Sequence, residues 1–182
     1  MASAPVGLTF VDPEVVVNQL PLSPGQKVAD FGCGSGYFSF EFSKRVGPEG
    51  QVYSFDVLPS ALEAVESRAK SLGLSNIETK RANLEKENGS GLPSESVDWV
   101  ILKDVLFQNK HRDIILNEAT RVLKAGGYVL IMEWNPNESL VGPEKELRIS
   151  PEAMKTLIQA SGLSLEKEIN VGGFHYAFLA KE

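Results

Sequence analysis

Three glycines and one later aspartate are the residues best suited to hold a ligand. Gly32, Gly34 and Gly36 alternate directly after an apolar stretch at residues 27–31, and Asp56 follows the last glycine by twenty residues. Alternating glycines let the backbone turn tightly and give a ligand room against bare N–H groups. A carboxylate at the end of the next strand is placed to hold the hydroxyls of a ribose. The spacing therefore predicts a nucleotide-binding unit.

The form of the turn separates two classes of nucleotide. A dinucleotide fingerprint, G-x-G-x-x-G, needs a glycine at position 37, where the chain has Tyr37. The chain instead reads D-x-G-x-G-x-G from Asp30. This pattern resembles the first motif of the class I S-adenosylmethionine methyltransferases. The resemblance implies that the turn surrounds the methionine part of the cofactor and that Asp56 binds the ribose hydroxyls.

The same resemblance implies further cofactor contacts at the ends of neighbouring strands. Asn83 stands where family members often carry an acid that accepts a hydrogen bond from the adenine amino group. Asparagine can accept that bond through its carbonyl and can also donate to the adjacent ring nitrogen. The expected cofactor-binding residues are Asp30, Gly32, Gly34, Gly36, Tyr37, Asp56, Val57, Asn83, Leu84 and Lys103.

Three polar side chains are candidates for the chemistry itself. Asp104 follows the fourth predicted strand, Glu133 lies near the end of the fifth, and His175 stands at the start of the last. In an open parallel sheet the site lies beyond the carboxyl ends of the strands, and a reversed last strand begins at the same edge. The ordinary pKa of histidine suits a base near neutrality. Capping or packing is the structural alternative for each of the three, so the catalytic group stays open.

Metal and thiol chemistry have little support. Asp104, Glu133 and Asn135 carry oxygen ligands of the kind that magnesium prefers, but the likeness to a magnesium site is loose and no metal is expected. Two histidines and one cysteine, Cys33, do not form a zinc or Ser–His–Asp constellation. Arsenite methylation, known among relatives, needs several thiolates, which this chain lacks.

Strands alternate with helices along the chain. The predicted strands are residues 27–31, 51–57, 76–82, 97–103, 128–134, 163–169 and 174–180, and the main helices are 36–46, 59–72, 111–123 and 151–160. The fourth strand is apolar enough to be central, and the third is polar enough for an edge. The short connection at 171–173 makes the last two strands antiparallel. We therefore expect an α/β fold with a Rossmann-like seven-stranded sheet, mostly parallel with an antiparallel last strand, and helices on both faces.

The length of 182 residues predicts a single domain, residues 1–182. Residues 1–25 are an N-terminal arm followed by a short helix. Phe10 and Val11 in this segment either lie over the cofactor or pack with the helix on the sheet edge. Residues 135–149 are long enough for a lid over the site, and a solvated loop is the equal alternative.

Composition limits the kinds of partner and the cellular location that we expect for the protein. The net charge of −6, from 18 basic and 24 acidic residues, shows no general nucleic-acid footprint. The Asn/Asp-Pro-Pro-Tyr signature of nucleic-acid amino methylation is also missing after the fourth strand. We expect no membrane span, because no apolar run is long enough and the N-terminus does not resemble a signal peptide. A single cysteine permits no disulfide framework, so a reducing cytosol is the expected location.

Within the class, the chain is most similar to the group containing the ubiquinone and menaquinone biosynthesis methyltransferases. The likeness rests on residues 30–38, 123–134, 142–143, 148–151 and 174–176. Relatives of this short type often carry a histidine and an acid soon after the fourth strand, whereas residues 105–111 hold no such pair. This departure leaves the acceptor open.

The expected function is methyl transfer from S-adenosylmethionine, with S-adenosylhomocysteine as product, to a small-molecule acceptor that the sequence does not identify. Methylation of a protein lysine is one alternative. A cofactor-binding module without turnover is another, which the missing histidine–acid pair keeps open. A nicotinamide-dependent oxidoreductase is disfavoured by Tyr37 and by the lack of a hydride-transfer dyad.

Overall fold

The computed structural model describes residues 10–137 and 141–182. The strands in these ranges are β1 (Lys27–Phe31), β2 (Gln51–Asp56), β3 (Ile77–Arg81), β4 (Val97–Lys103), β5 (Leu123–Trp134), β6 (Ser164–Ile169) and β7 (His175–Lys181). The helices are α1 (Pro13–Val17), α2 (Tyr37–Val46), α3 (Pro59–Ser71), α4 (Arg112–Val122) and α5 (Pro151–Ala160), with 3₁₀ turns at Leu106–Gln108 and Lys145–Leu147. None of the helices in the described ranges is long and apolar enough to cross a membrane.

All seven strands join one sheet in the order β3-β2-β1-β4-β5-β7-β6. Strands β1 to β5 pair in parallel, and β7 runs antiparallel to both of its neighbours. The order reverses between β1 and β4, which is where ligands bind in open α/β sheets. The predictions of a mostly parallel seven-stranded sheet, an antiparallel last strand, a central fourth strand and a third strand at the edge are confirmed.

Helices cover both faces of the sheet, as expected, because the central strands are apolar on both sides. In β4, Trp99 and Ile101 face α1 and α2, while Val100 and Leu102 face α4 and α5. The helices bury Val16, Val17, Phe38 and Phe42 on the first face and Ile115, Leu116, Met154 and Ile158 on the second. This double burial holds the ends of β1 and β4 at fixed positions.

Several predicted element ends are corrected. Strand β5 begins at Leu123, five residues before its predicted start at position 128. Leu123 pairs with Val97, and a register shift between Val97 and Trp99 accommodates residues 124–127 of β5. Helix α4 therefore ends at Val122. Strand β7 starts at His175, where its ladder with Trp134 of β5 begins.

Candidate functional site

The carboxyl ends of β1, β2 and β4 open into a cavity of about 870 Å³. The expected site residues that line it are Asp30, Gly32, Gly34, Tyr37, Asp56, Val57, Asn83, Leu84, Lys103, Asp104 and His175. Gly36 and Glu133 are outside this lining. The structure thus brings most of the expected cofactor residues and two of the three catalytic candidates around one cavity.

Most amides of the glycine bend are already bonded within the protein. The N–H groups of Gly32 and Cys33 both donate to the carbonyl of Phe55, at 2.9 and 2.8 Å. The N–H of Gly34 donates to Asp56 Oδ2 at 3.0 Å. The expectation of bare N–H groups is wrong for these three residues, because their amides tie the end of β1 to the end of β2.

Gly34 and Gly36 are glycines for different reasons. Gly36 precedes α2 with a left-handed φ of 77°, and a Cβ there would lie 2.8 Å from Val65 and 2.9 Å from Phe40. Gly34 lines the cavity, and a Cβ on it would meet nothing within 4 Å. Gly36 therefore serves packing, whereas Gly34 leaves room for a ligand.

Asp56 sits between the bend and the end of β2. Its Oδ2 accepts the N–H of Gly34 and its Oδ1 accepts the N–H of Leu58, each at 3.0 Å. A carboxylate has about four lone-pair positions, so two backbone bonds leave acceptor capacity for a ligand. The neighbouring Val57 and Leu58 are large apolar residues that are 51% and 58% exposed. A carboxylate acceptor beside an apolar surface suits a ribose joined to a flat base.

Asp30 lines the cavity from β1 and is almost wholly buried. Ser39 on α2 donates to Asp30 Oδ2 at 2.6 Å and shares a 2.7 Å hydrogen bond with Ser54 on β2. Burial raises the pKa of Asp30 to about 6, although the bond from Ser39 and the charge of Lys103 act in the opposite direction. A cation bound beside this carboxyl would favour its ionised form.

The loop after β3 borders the cavity on the side of Asp56. Asn83 Oδ1 accepts the N–H of Glu85 at 3.0 Å. Glu85 in turn accepts the N–H groups of Lys110 and His111, at 2.9 and 3.0 Å, which joins this loop to the start of α4. An adenine contact from Asn83 would therefore use its side-chain N–H groups or the second lone pair of Oδ1.

Asp104 and His175 meet across the sheet although 71 residues separate them in the chain. His175 Nε2 lies 3.0 Å from Asp104 Oδ1, and Lys103 Nζ bonds to Oδ2 of the same carboxylate. Burial raises the pKa of Asp104, but the bond from His175 and the charge of Lys103 outweigh it and hold the pKa below its ordinary value. The ring of His175 packs on Trp134 with centroids 4.1 Å apart. Asp104 is therefore an ionised carboxylate held from two sides.

Glu133 lies behind the cavity wall and is wholly buried. Its Oε1 accepts the N–H of Leu106 at 2.7 Å, where the turn Leu106–Gln108 begins. Burial raises the pKa of Glu133 to about 8, and the charge of Asp104 contributes to the rise. Its Oε2 has no hydrogen-bond partner among the described residues. Glu133 is placed to hold a turn that borders the cavity.

The described part of the chain contains no group of three His, Cys, Asp or Glu side chains that could hold a metal ion. Asn135, the third oxygen ligand considered with Asp104 and Glu133, donates its amide to the carbonyl of Gly173 at 3.2 Å. Cys33 lines the cavity, but burial raises the pKa of its thiol far above the ordinary value. A thiol in that state is a poor nucleophile.

Some lining residues were missed by the sequence reasoning. Six of them, found just after the strands, are Leu58, Ala82, Glu85, Val105, Gln108 and Asn109. The signal that could have found them is position, since each follows β2, β3 or β4 by a few residues. Phe10, considered as a cover for the cofactor, also lines the cavity, and its ring lies 5.2 Å from that of Phe174.

The predicted lid, residues 135–149, includes residues 138–140, which lie outside the described residues. Arg148 holds much of the remainder. It donates to three backbone carbonyls of the loop at distances between 2.7 and 3.0 Å, those of Asn135, Val141 and Pro143. Its guanidinium also lies 5.8 Å from the ring of Trp134, which lines the cavity. The described part of the loop is therefore tied to the cavity wall.

The family model and the curated relatives that match this chain are methyltransferases. A family model for a methyltransferase domain matches residues 22–170. The ubiquinone/menaquinone biosynthesis C-methyltransferase UbiE of Bordetella parapertussis is 33% identical over 129 residues, which cover 71% of this chain and 48% of that protein. UbiE of Haemophilus ducreyi is 37% identical over 114 residues, covering 61% of this chain and 42% of that protein. The chain thus spans about half the length of the curated relatives it matches.

Solved structures share the whole fold. A SAM-dependent methyltransferase from Aquifex aeolicus superposes with a TM-score of 0.86 at 27% identity, covering 94% of this chain and 90% of that one. The cyclase SpnF, at 16% identity and a TM-score of 0.77 over 93% of this chain and 79% of that one, shares the fold alone. The sheet and the glycine bend are those of a class I methyltransferase, and the chain belongs to this methyltransferase-domain family. The cofactor of the family is S-adenosylmethionine.

Proposed function

We propose that the protein transfers a methyl group from S-adenosylmethionine to a small-molecule acceptor. The observation that carries the proposal is a single cavity bordered by Asp56 at the end of β2 and by the ionised Asp104 at the end of β4. Since β1 lies between these strands, the strand ends that carry the two carboxylates are two strand spacings apart, about 10 Å. This separation supports a nucleoside end and an acceptor end within one cavity.

Residues of the cavity lining fit three parts of the cofactor: the ribose, the adenine and the methionine part. Asp56 would accept hydrogen bonds from the ribose hydroxyls, and the exposed Val57 and Leu58 offer apolar surface to the adenine. Asn83 has side-chain N–H groups for the base. Asp30, whose pKa is raised by burial, would be stabilised in its ionised form by the ammonium of the methionine part. When bound, the cofactor supplies a methyl group on a positively charged sulfur.

The size of the cavity supports a second ligand. Its volume of about 870 Å³ is near the top of the roughly 300–1,000 Å³ common for small-molecule pockets. Methyl transfer mainly requires that the acceptor atom be held close to the methyl carbon in the correct direction. Trp134 and Phe10, which line the cavity away from Asp56, offer apolar walls for this task.

A small acceptor is favoured over a macromolecule. The names of the UbiE relatives point to small acceptors, but those proteins are about twice as long, so their particular substrates are not transferred to this chain. The net charge of −6 gives little attraction to nucleic acid. Methylation of a protein lysine and cofactor binding without turnover remain the alternatives. We further infer that residues 1–182 act as one domain, and the single cysteine supports a cytosolic location.

Two measurements test the proposal. Calorimetry with S-adenosylmethionine, S-adenosylhomocysteine and NAD should show saturable binding of the first two compounds and none of NAD. Labelled-methyl transfer into a size-fractionated cell extract should then place the label in the small-molecule fraction. Label in the protein fraction would favour the lysine alternative, and binding without label transfer would favour the non-catalytic module. Preferential binding of NAD would refute the cofactor assignment.

A further inference from the structure

Asp104 and His175 differ in how far the cavity exposes their side chains. Both residues line the cavity, but the side chain of Asp104 is 19% exposed, whereas that of His175 is 3% exposed. A ligand in the cavity can therefore reach the carboxylate much more readily than the imidazole. His175 stands behind Asp104, packed on the ring of Trp134. The order from the cavity inward is ligand space, carboxylate and imidazole.

The proton positions follow from the charge of Asp104. Its pKa lies below the ordinary value, so the carboxylate is ionised at neutral pH and can only accept hydrogen bonds. His175 Nε2, 3.0 Å away, must then carry the proton of that bond. Nδ1 of the same ring has no partner among the described residues. The neutral imidazole is therefore the Nε2–H tautomer.

The backbone of Asp104 adds to this arrangement. Its φ of 56° is left-handed, a conformation that Asp and Asn adopt more readily than other non-glycine residues. Such a conformation is found at functional sites when the surroundings hold it in place. The N–H of Asp104 donates to the carbonyl of Met132 at 2.9 Å, which fixes the residue against β5. The carboxylate is thus held from the backbone as well as from His175.

The surrounding charges select the kind of acceptor. Lys103 on β4 already neutralises Asp104 through a direct ion pair. Glu133 on β5 has a pKa of about 8 and is mostly uncharged at neutral pH. Arg148 adds a positive charge above Trp134. The other carboxylates of the cavity lining, Asp30, Asp56 and Glu85, border the part that our proposal gives to the cofactor. The charge that acts on Asp104 is that of its partners Lys103 and His175, so the carboxylate is compensated locally and a neutral acceptor is favoured over a cationic one.

We propose that Asp104, positioned by His175, accepts the proton of a hydroxyl on a neutral acceptor molecule. This inference rests on the proposed methyl transfer and names the acceptor class for the same site. An electron pair of the acceptor forms the new bond to the methyl carbon, and the electron pair of the broken carbon–sulfur bond stays on sulfur. The hydroxyl proton passes to the Asp104 carboxylate and then to water.

The new bond is to the hydroxyl oxygen or to a carbon conjugated with it. In the second case, the electron pair comes from the π system of the deprotonated acceptor. The proton on that carbon is then lost to water and the oxygen takes a proton back, so one proton is released overall. Lys103, next to the carboxylate, would stabilise negative charge that develops on the acceptor oxygen. Asp104 is the catalytic residue in this scheme. His175 is a positioning residue, because it acts through Asp104.

The test uses the full chain with methyl-¹³C-labelled S-adenosylmethionine and the small-molecule fraction of an extract from cells that make the protein. NMR of the products identifies the atom that carries the label. We expect label on oxygen or on carbon. In Asp104→Asn, which keeps the tolerated backbone conformation, kcat should fall about 100-fold or more. Its affinity for S-adenosylhomocysteine should stay within about twofold, and the exposed Asp113→Asn should match the wild type.

His175→Gln distinguishes a positioning role from a merely structural one. Loss of the bond from His175 removes a cause that lowers the pKa of Asp104, so the acid limb of the kcat profile should move to higher pH. His111→Gln is the matched control, since the chain has only these two histidines. ¹⁵N-histidine NMR of the unmodified protein gives a readout independent of activity. It should show His175 protonated on Nε2 and bare on Nδ1.

Several results would overturn the inference. Label on a quaternary ammonium or sulfonium product shows that no proton is removed, and an unimpaired Asp104→Asn variant shows that Asp104 is not the acceptor of that proton. The opposite tautomer of His175 would also refute it. If S-adenosylhomocysteine binds and no label is transferred, the proposed function itself is refuted together with the inference. The atom that carries the label thus separates the two failures.

Discussion

The amide of Gly34 donates a 3.0 Å hydrogen bond to the carboxylate of Asp56, which joins the glycine bend to the end of β2. The same carboxylate accepts the amide of Leu58. Asp56 therefore has two tasks: it braces the backbone, and it offers its remaining lone pairs to the ribose in our proposal. Substitutions at this position can separate these tasks.

We expect Asp56→Ala to weaken the binding of S-adenosylhomocysteine by well over tenfold, since a charge-assisted hydrogen bond is worth roughly 1.5–3 kcal/mol. Asp56→Asn keeps the size of the side chain and one acceptor oxygen, so its loss of affinity should be smaller. Calorimetry measures both, with the exposed Asp113→Ala as a control for an aspartate elsewhere. Unchanged affinity in Asp56→Ala would remove the basis of the cofactor assignment.

Gly34→Ala and Gly36→Ala should impair the protein in different ways, the first mainly in cofactor affinity and the second mainly in stability. Gly36→Ala adds a Cβ less than 3 Å from Val65 and Phe40. Left-handed strain and overpacking together should lower the free energy of unfolding by roughly 2–5 kcal/mol. Gly34→Ala, with open space around its Cβ, should lose only about 1–2 kcal/mol from the backbone conformation. Its affinity for S-adenosylhomocysteine should nevertheless fall strongly, because Gly34 lines the cavity and an added methyl group would take up space beside the ligand.

Urea unfolding and calorimetry on the two variants provide the comparison. Equal losses of stability would contradict the packing role of Gly36. Normal cofactor binding by Gly34→Ala would contradict the placement of the ligand against the bend. Each glycine thus serves as the control for the other.

Glu133 should make the protein less stable as the pH rises. Its pKa is raised from 4.5 to about 8 by burial, so the folded state keeps a proton that the unfolded state loses. The stabilisation is complete below about pH 4.5 and is lost as the pH rises through 8, at up to about 1.4 kcal/mol per pH unit. Glu133→Gln keeps an acceptor for Leu106 without the titration, so its unfolding free energy should vary less with pH.

Urea unfolding between pH 5 and 8.5 measures this difference. The exposed Glu63→Gln is the matched control and should follow the wild type. Parallel curves for the wild type and Glu133→Gln would show that Glu133 does not titrate in this range.

Arg148→Lys should loosen the loop at 141–149. Lysine cannot reproduce the fork of donors that Arg148 directs at the carbonyls of Asn135, Val141 and Pro143. We propose that this loop is a lid, and the substitution should raise its amide hydrogen exchange by tenfold or more. Exchange in the strand Leu123–Trp134 should stay unchanged. Arg45→Lys on α2 is a control, and equal exchange in the two variants would argue against the anchoring role.

Much of the fold could be predicted from the sequence because local patterns encode it. The apolar strand 97–103 and the glycine turn at 32–36 have one compatible place in a doubly wound sheet. The start of β5 could not be predicted, since it depends on the pairing of Leu123 with Val97 and on a register shift. Such pairing is a property of two distant segments and leaves no local signal.

The candidate site could likewise be predicted only where the sequence carries a local signal. The sequence places Asp56 beside the bend, but it does not show that the amides of Gly32 and Cys33 are taken by Phe55. It also does not reveal that Asp104 and His175 pair, because 71 residues separate them. Residues 105–111 after β4 hold no pair of a histidine and an acid, although the fold assembles one from the residue after β4 and the first residue of β7.

The internally bonded bend has a consequence for turnover. The amides of Gly32, Cys33, Gly34 and Gly36 are paired before any ligand arrives, so exchanging spent for fresh cofactor need neither break nor rebuild these hydrogen bonds. The bend would keep its structure through each catalytic cycle. The rate of cofactor exchange would then be set by the segments that border the cavity mouth. Rapid-mixing kinetics should therefore show a bimolecular association step with no slow rearrangement of the bend behind it.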